Sequence, residues 1–222
     1  MVHRHFLKPR NVTSHFNTML QKTFFLALCI CNFTLFGQKC VDKQLSNNFT
    51  FATEIVTKNQ KELAPCKIIV KITDKKTGKK IQSFEINSEF ILASKSFKNC
   101  NSNKSFITGK NQNMKAVEND YGDIIVADFN FDNKEDFAVK REEGGNGGPL
   151  YNFYIQTNDR KFVLENYLSN TMLWFPFEID KAEMTLATYV RSNSSEDEKV
   201  VYKYDVEKRE WKIVRRQKYR NE

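Results

Sequence analysis

Residues 128–137 read DFNFDNKEDF, so oxygen-bearing side chains alternate with phenylalanine over most of the stretch. Asp128, Asn130 and Asp132 stand two residues apart, Lys134 follows with its carbonyl, and Asp136 closes the set. On an extended strand, residues two apart share one face. In a tight loop, the same spacing lets alternate side chains converge on one cation. Oxygen donors at the first, third, fifth, seventh and ninth positions suit Ca²⁺, which takes about 6–8 oxygens. Two other readings use the same residues: a pair of catalytic carboxylates, and a solvated turn whose acids coincide. Acids committed to a cation are held ionised and make poor general acids, so the metal and catalytic readings compete. The stretch departs from an EF-hand. Its sixth position is Asn133 where an EF-hand has Gly, and its twelfth is Val139 where the bidentate Glu belongs. Asparagine tolerates the left-handed backbone that the sixth position needs.

The rest of the chain narrows the chemistry. Its three histidines, His3, His5 and His15, all precede residue 24. The downstream chain therefore cannot form a Ser-His-Asp triad, a Cys-His pair or a histidine-containing zinc site. Cys40, Cys66 and Cys100 are one thiolate short of an all-cysteine zinc site. Carboxylates and lysines remain. A glycosidase works with two acids, but spacing alone does not show one here.

Residues 24–36, FFLALCICNFTLF, have the length of a signal-peptide core and are too short to span a bilayer, which takes about 20 residues. Lys22 supplies a positive charge ahead of the run, and Gly37 a small residue for cleavage. We read residues 1–37 as an N-terminal extension and signal segment starting at Met19, and residues 38–222 as one exported β-domain, periplasmic or secreted. A retained anchor is the alternative. Contact with a membrane is expected only through the signal segment. The formal charge of the 222-residue chain is +8. Removing residues 1–37 takes away Arg4, Lys8, Arg10 and Lys22 and no acid, which leaves 31 basic against 27 acidic residues, or +4. That weakens any case for nucleic acid. An exported chain can hold one disulfide and a spare thiol, Cys66–Cys100 for instance, or else three unpaired thiols.

Strand signals dominate after the signal segment. Residues 67–73 are apolar and β-branched, residues 74–78 make a polar turn with Gly78, and residues 81–86 alternate, which reads as a hairpin. Residues 123–127 and 137–140 make strands on either side of the acidic stretch. Residues 144–149, GGNGGP, break the chain before a strand at 151–155. Further strands fall at 162–164, 184–190, 200–206 and 211–213, and residues 100–118 read as a long polar loop. No helical period appears after residue 40. Short strands between turns argue for an all-β, antiparallel domain: a propeller-like fold, a barrel or a sandwich.

DFNFDNKEDF preceded by DYGDIIVA resembles the calcium loop of FG-GAP/VCBS-type repeats, which joins two strands of a propeller blade. The continuation GGNGGPLYNFYIQTNDRKF, the hairpin IIVKITDKKTGKKIQSFEI and the final VVYKYDVEKREWKIV are similar to a group of exported bacterial proteins with one such loop. That group includes periplasmic immunity proteins that inhibit secreted peptidoglycan hydrolases of the lysozyme type. The resemblance covers residues 66–215. It implies structural Ca²⁺ held by Asp128, Asn130, Asp132, Lys134 and Asp136, and a protein partner such as a peptidoglycan hydrolase. The lack of histidine and of any recognisable catalytic motif after the signal segment argues against an enzyme.

Other features carry weaker signals. The glycine-rich stretch lacks the Gly-Lys-Ser/Thr of a phosphate loop and reads as a flexible loop. Gly145, Asn146, Gly147 and Gly148, with Tyr151 beside them, are candidates to touch a partner. Lys208, Arg209, Lys212, Arg215, Arg216, Lys218 and Arg220 make a basic tail, either a contact for an anionic surface or a charged strand edge. Trp174 in WFPF is expected in a core, or else stacked on sugar rings. The competing functions are a cell-wall glycan-binding module and a carboxylate-dependent glycan hydrolase.

Overall fold

The computed structural model describes residues 36–220. The extension and residues 24–35 of the expected signal core lie outside them. Among the described residues no helix is long and apolar enough to cross a membrane.

Three open sheets follow one another along the chain. Strands β1 (Phe36–Asp42), β2 (Phe49–Thr57), β3 (Leu63–Asp74) and β4 (Lys80–Leu92) form an antiparallel meander. Strands β5 (Lys104–Ser105), β6 (Ile124–Ala127), β7 (Asp136–Gly145), β8 (Gly148–Gln156) and β9 (Phe162–Leu164) lie side by side in that order. Only β5 runs parallel to its neighbour. Strands β10 (Glu178–Asp180), β11 (Thr185–Arg191), β12 (Glu196–Asp205) and β13 (Glu210–Arg220) make a second four-stranded meander. The fold is all-β and antiparallel, as expected. Among the described residues no sheet closes on itself.

The expected hairpin is β3 and β4, turned at residues 74–78. Asp74 accepts from the Thr77 amide at 2.7 Å, and Gly78 takes a positive φ of 69°. The sequence signals do not reach β1 or β2. Strand β2 alternates strictly, with Phe49, Phe51, Thr53, Ile55 and Thr57 inward. Its outward side carries Ala52 and Val56, which blurs the contrast that marks a half-buried strand. Strand β1 starts at Phe36, and the backbone of Phe36 and Gly37 pairs with Thr57 and Val56. Residues 100–118 are not one loop. They contain a 3-10 turn at Cys100–Ser102 and the short β5, and buried Asp42 pins them by accepting from Asn103 at 3.1 Å and pairing with Lys110.

The middle sheet is buried on both faces, and the alternation of its side chains divides two cores. Ile124, Val126, Phe137, Val139 and Tyr154 face the first sheet, among Phe49, Phe51, Ile68 and Val70. Ile125, Ala127, Phe129, Ala138 and Phe153 face the third, among Phe175, Leu186, Val200 and Trp211. Phe137 is the hub of the first core: its ring stacks on Tyr154 at 4.7 Å and meets Phe51, Phe84 and Phe162 within 5.7 Å. Each such buried phenylalanine stabilises by about 1.5–3 kcal/mol.

The disulfide is Cys40–Cys100, with Cα atoms 5.4 Å apart, and Cys66 is free and buried. Cys66–Cys100 is therefore corrected. Cys66 lies in β3 opposite Ser88 of β4, while Cys40 on the edge strand β1 lies beside the 3-10 turn that carries Cys100. Burial pushes the Cys66 thiol from its ordinary 9.0 up to about 11. A raised thiol pKa means the folded state keeps its proton longer than the unfolded chain, so its contribution to stability is lost as pH rises from about 9 to about 11. We expect peptide mapping without reductant to recover the Cys40–Cys100 pair. Iodoacetamide at pH 8.5 should leave Cys66 unmodified until denaturant is added. Cys40→Ser with Cys100→Ser should cost about 2–5 kcal/mol in urea unfolding.

Candidate functional site

The acidic stretch is the connection between β6 and β7. Its side chains fold inward onto its own backbone. The Asp132 amide donates to Asp128 Oδ1 at 2.9 Å and to Asn130 Oδ1 at 3.3 Å, so these two oxygens converge on one point. The Asn133 amide donates to Asp128 Oδ2 at 2.9 Å. Asn133 takes the left-handed backbone, φ 64°, as the sixth position requires. Phe131 takes it too, φ 61°, with its ring 6.1 Å from that of Trp211. Phe129 and Phe137 enter opposite cores, so the aromatic residues tie the turn down on both sides of the middle sheet.

Asp136 has another place from the other three. It is fully buried at the start of β7. Its Oδ2 accepts from the amides of Phe129 at 2.9 Å and Asn130 at 3.4 Å, and its Oδ1 from Gln156 of β8 at 2.8 Å. Burial pushes its carboxyl up to about 8; the Gln156 and Phe129 amides pull it down, and Asp132 and Asp128 add repulsion. Two ammonium groups answer the acids. Lys134 Nζ lies 2.8 Å from Asp132, and Lys181 Nζ lies 2.6 Å from Asn133 Oδ1 and 3.5 Å from Asp128 Oδ2. The donors are all hard oxygens, which suits Ca²⁺ in kind. Among the described residues, no group of three or more His, Cys, Asp or Glu side chains is gathered to hold a metal ion. Asp128 and Asn130 are brought together, Asp132 turns to Lys134, and Asp136 serves the backbone.

Glu135, which the donor pattern passes over, is buried as well. It accepts from the Ser46 hydroxyl and from the amides of Asn47 at 2.8 Å and Asn48 at 3.4 Å, tying the β1–β2 connection to the acidic turn. On its open side the turn borders a cleft of about 580 Å³, where Asn130, Asp132 and Lys134 face Thr157, Tyr204 and Arg209.

The glycine-rich stretch is a tight hairpin between β7 and β8, with Gly145 paired to Gly148. Gly144 (φ 68°) and Gly148 (φ 90°) are required: a Cβ on Gly144 would meet Gly148 O at 2.0 Å, and one on Gly148 would meet Glu118 O at 2.5 Å. Only Gly145 and Asn146, with Gly144, are exposed at the tip. Gly147 and Gly148 are buried, and a Cβ on Gly147 would run into the Trp174 indole at 2.7 Å. Tyr151 is buried too, so it is withdrawn as a partner-touching residue. It faces the second core, where its hydroxyl donates to Gly122 O at 3.0 Å. Half-buried Trp174 covers the hairpin. From Lys212 on, the basic tail lies in edge strand β13, whose Arg216, Lys218 and Lys212 pair with Glu198, Glu196 and Asp205 of β12. It is a charged strand edge.

A second polar cluster escaped the sequence reading. Lys140 of β7 is 1% exposed. Its Nζ lies 2.8 Å from Asp120, 3.1 Å from Asp123 and 3.2 Å from Ser96 Oγ, and Ser96 donates to Glu143 at 2.6 Å. Burial alone would lower the Lys140 pKa; Asp123 and Asp120 outweigh it and hold the ammonium above its ordinary range. A lysine held protonated cannot take a proton from Ser96, so this serine–lysine contact is not poised as a nucleophile and base. The one sequence signal for it is that Lys140 continues a run, FAVK, with no solvent side.

No family model matches the chain, and no curated protein sequence does. A solved structure described as a Xanthomonas type IV secretion system related protein is similar in fold, with a TM-score of 0.51 over 82% of this chain and 87% of that one, at 16% identity. That likeness extends to the fold alone.

Replacing Lys140 would leave buried Asp123 and half-buried Asp120 without their counter-charge. Lys140→Met is expected to cost about 3–5 kcal/mol in urea unfolding. A loss under about 1 kcal/mol would show that the cluster is solvated and structurally minor.

Proposed function

We propose that the chain is an exported binding protein, not an enzyme, with a structural Ca²⁺ turn at residues 128–136 and a protein partner. The observation that carries the calcium reading is the convergence of Asp128 and Asn130 on the Asp132 amide, with Asn133 left-handed, between two antiparallel strands. Asp128, Asn130, Asp132 and Asp136 would hold the ion with side chains, and Lys134 with its carbonyl. Bound there, Ca²⁺ would neutralise clustered carboxylates and fix one turn. The order of the sheets supports a propeller-like reading: meanders follow one another, and the middle one is packed by its neighbours on both faces, as adjacent blades are.

The partner reading rests on the resemblance of residues 66–215 to exported immunity proteins, which makes a peptidoglycan hydrolase of the lysozyme type the first partner to test. The exposed hairpin tip around Asn146, on a rigid sheet, is a suitable contact.

Two measurements check this. With Ca²⁺ at a hundredfold excess over its Kd, the melting temperature should rise roughly 5–10 °C above that in chelator, and Asp128→Ala should abolish the rise. Equal melting in both conditions removes the calcium claim. Mixed with a panel of lysozyme-type hydrolases, the protein should slow lysis of cell walls by at least one of them. Lysis that the protein itself causes would replace the inhibitor with a hydrolase.

A further inference from the structure

The register of the third sheet sends Tyr189 of β11 and Tyr219 of β13 to its outer face, away from the core that Leu186 and Val200 enter. Phe177, just before β10, joins them. The ring of Tyr189 lies 6.0 Å from that of Phe177 and 5.7 Å from that of Tyr219, so the three rings make a continuous row. All three remain open to solvent, at 39%, 37% and 37% exposure for Phe177, Tyr189 and Tyr219.

The row is one ring wide and is bordered by polar groups. Lys199 lies over the Phe177 ring at 5.0 Å. Tyr189 also lines a cleft of about 550 Å³ with Arg191, Asp197, Asn119 and Asn146. Asp197 accepts from the Tyr189 hydroxyl at 3.3 Å, and Arg191 Nε lies 3.8 Å from it. Asn119 donates to the carbonyls of Gly147 and Tyr189 at 3.1 and 3.0 Å, which fastens the glycine hairpin to this sheet and fixes the cleft wall.

We propose that this face binds an oligosaccharide. A pyranose ring offers a face of polarised C–H groups and a rim of hydroxyls. The C–H face suits the electron-rich face of an aromatic ring. The rim suits a guanidinium, a carboxylate and an amide standing beside that ring. The cleft volume falls in the range of small-ligand sites, about 300–1,000 Å³. A protein partner would be expected to bury an anchor in a dry pocket, whereas these rings, tilted 69° and 53° to one another, stand open to solvent with polar flanks. A lipid would want aliphatic surface, which the row lacks. The site is separate from the Ca²⁺ turn, so the two readings stand or fall apart.

The test is titration calorimetry of the whole protein with tetrasaccharides of N-acetylglucosamine and of glucose, and with soluble peptidoglycan strands. Saturable binding to at least one is expected. Tyr189→Ala and Arg191→Ala should each weaken it about tenfold with melting unchanged, while Tyr189→Phe and Asp128→Ala bind like the parent. Absence of saturable binding to all three probes overturns the proposal. So does binding that Tyr189→Ala leaves intact. Loss of a hydrolase complex in Tyr189→Ala, without saccharide binding by the parent, also overturns it and makes the face a protein interface.

Discussion

Strand β6 and the first five residues of β7 meet water on neither face, and this burial sets the terms for everything around them. The first and third sheets each bury one side against the middle sheet, through separate cores. Side chains alternate, so a slip of one residue in β7 would send Phe137 and Val139 into the wrong core and bring Ala138 into the hub among Phe51, Phe84 and Tyr154. Asp136, one residue before Phe137, resists such a slip. It accepts from the acidic turn on one side and from Gln156 of β8 on the other. A carboxyl group without exposure is tolerated at the start of a core strand because three amides meet it.

The same two-sided burial decided what could be read in the sequence. IIVA and FAV are continuous apolar runs, which identify strands but not which residue enters which core. The β3–β4 hairpin was legible because its turn is local and its flanks alternate. The position of the acidic turn between two strands was legible for the same reason. The disulfide was not, since joining Cys40 to Cys100 depends on an edge strand lying beside a turn 60 residues away. Lys140 was hidden because a lysine in a strand normally reads as solvent-facing. Tyr151 misled in the opposite sense: next to a glycine-rich tip it looked available, but the first inward position of β8 follows only two residues after the hairpin closes.

Charge in this chain is therefore handled in two ways. On the outer strands it is paired across the sheet, as in Arg216–Glu198 and Lys218–Glu196, where water screens it and little stability depends on it. Around the middle sheet it is buried and must be matched. Lys140 with Asp120 and Asp123, and Glu135 with Ser46 and two amides, each fasten a connecting segment to the sheet. The buried groups hold the frame. The acids of the turn and the outer face of the third sheet stay partly open to solvent.

The acidic turn shows how narrow that margin is. Its backbone amides and two lysines already meet its acids. Ca²⁺, as proposed, would have to displace Lys134 from Asp132 and Lys181 from Asp128. Lys181 is largely exposed and its contact with Asp128 is long, so giving it up costs little. The gain is greater where the acids are drier, because a dication acts on carboxylates in poorly solvated surroundings more strongly than in water. Affinity should then be set less by the missing glycine at Asn133, whose left-handed backbone is already in place, than by this exchange of two ammonium groups for one cation.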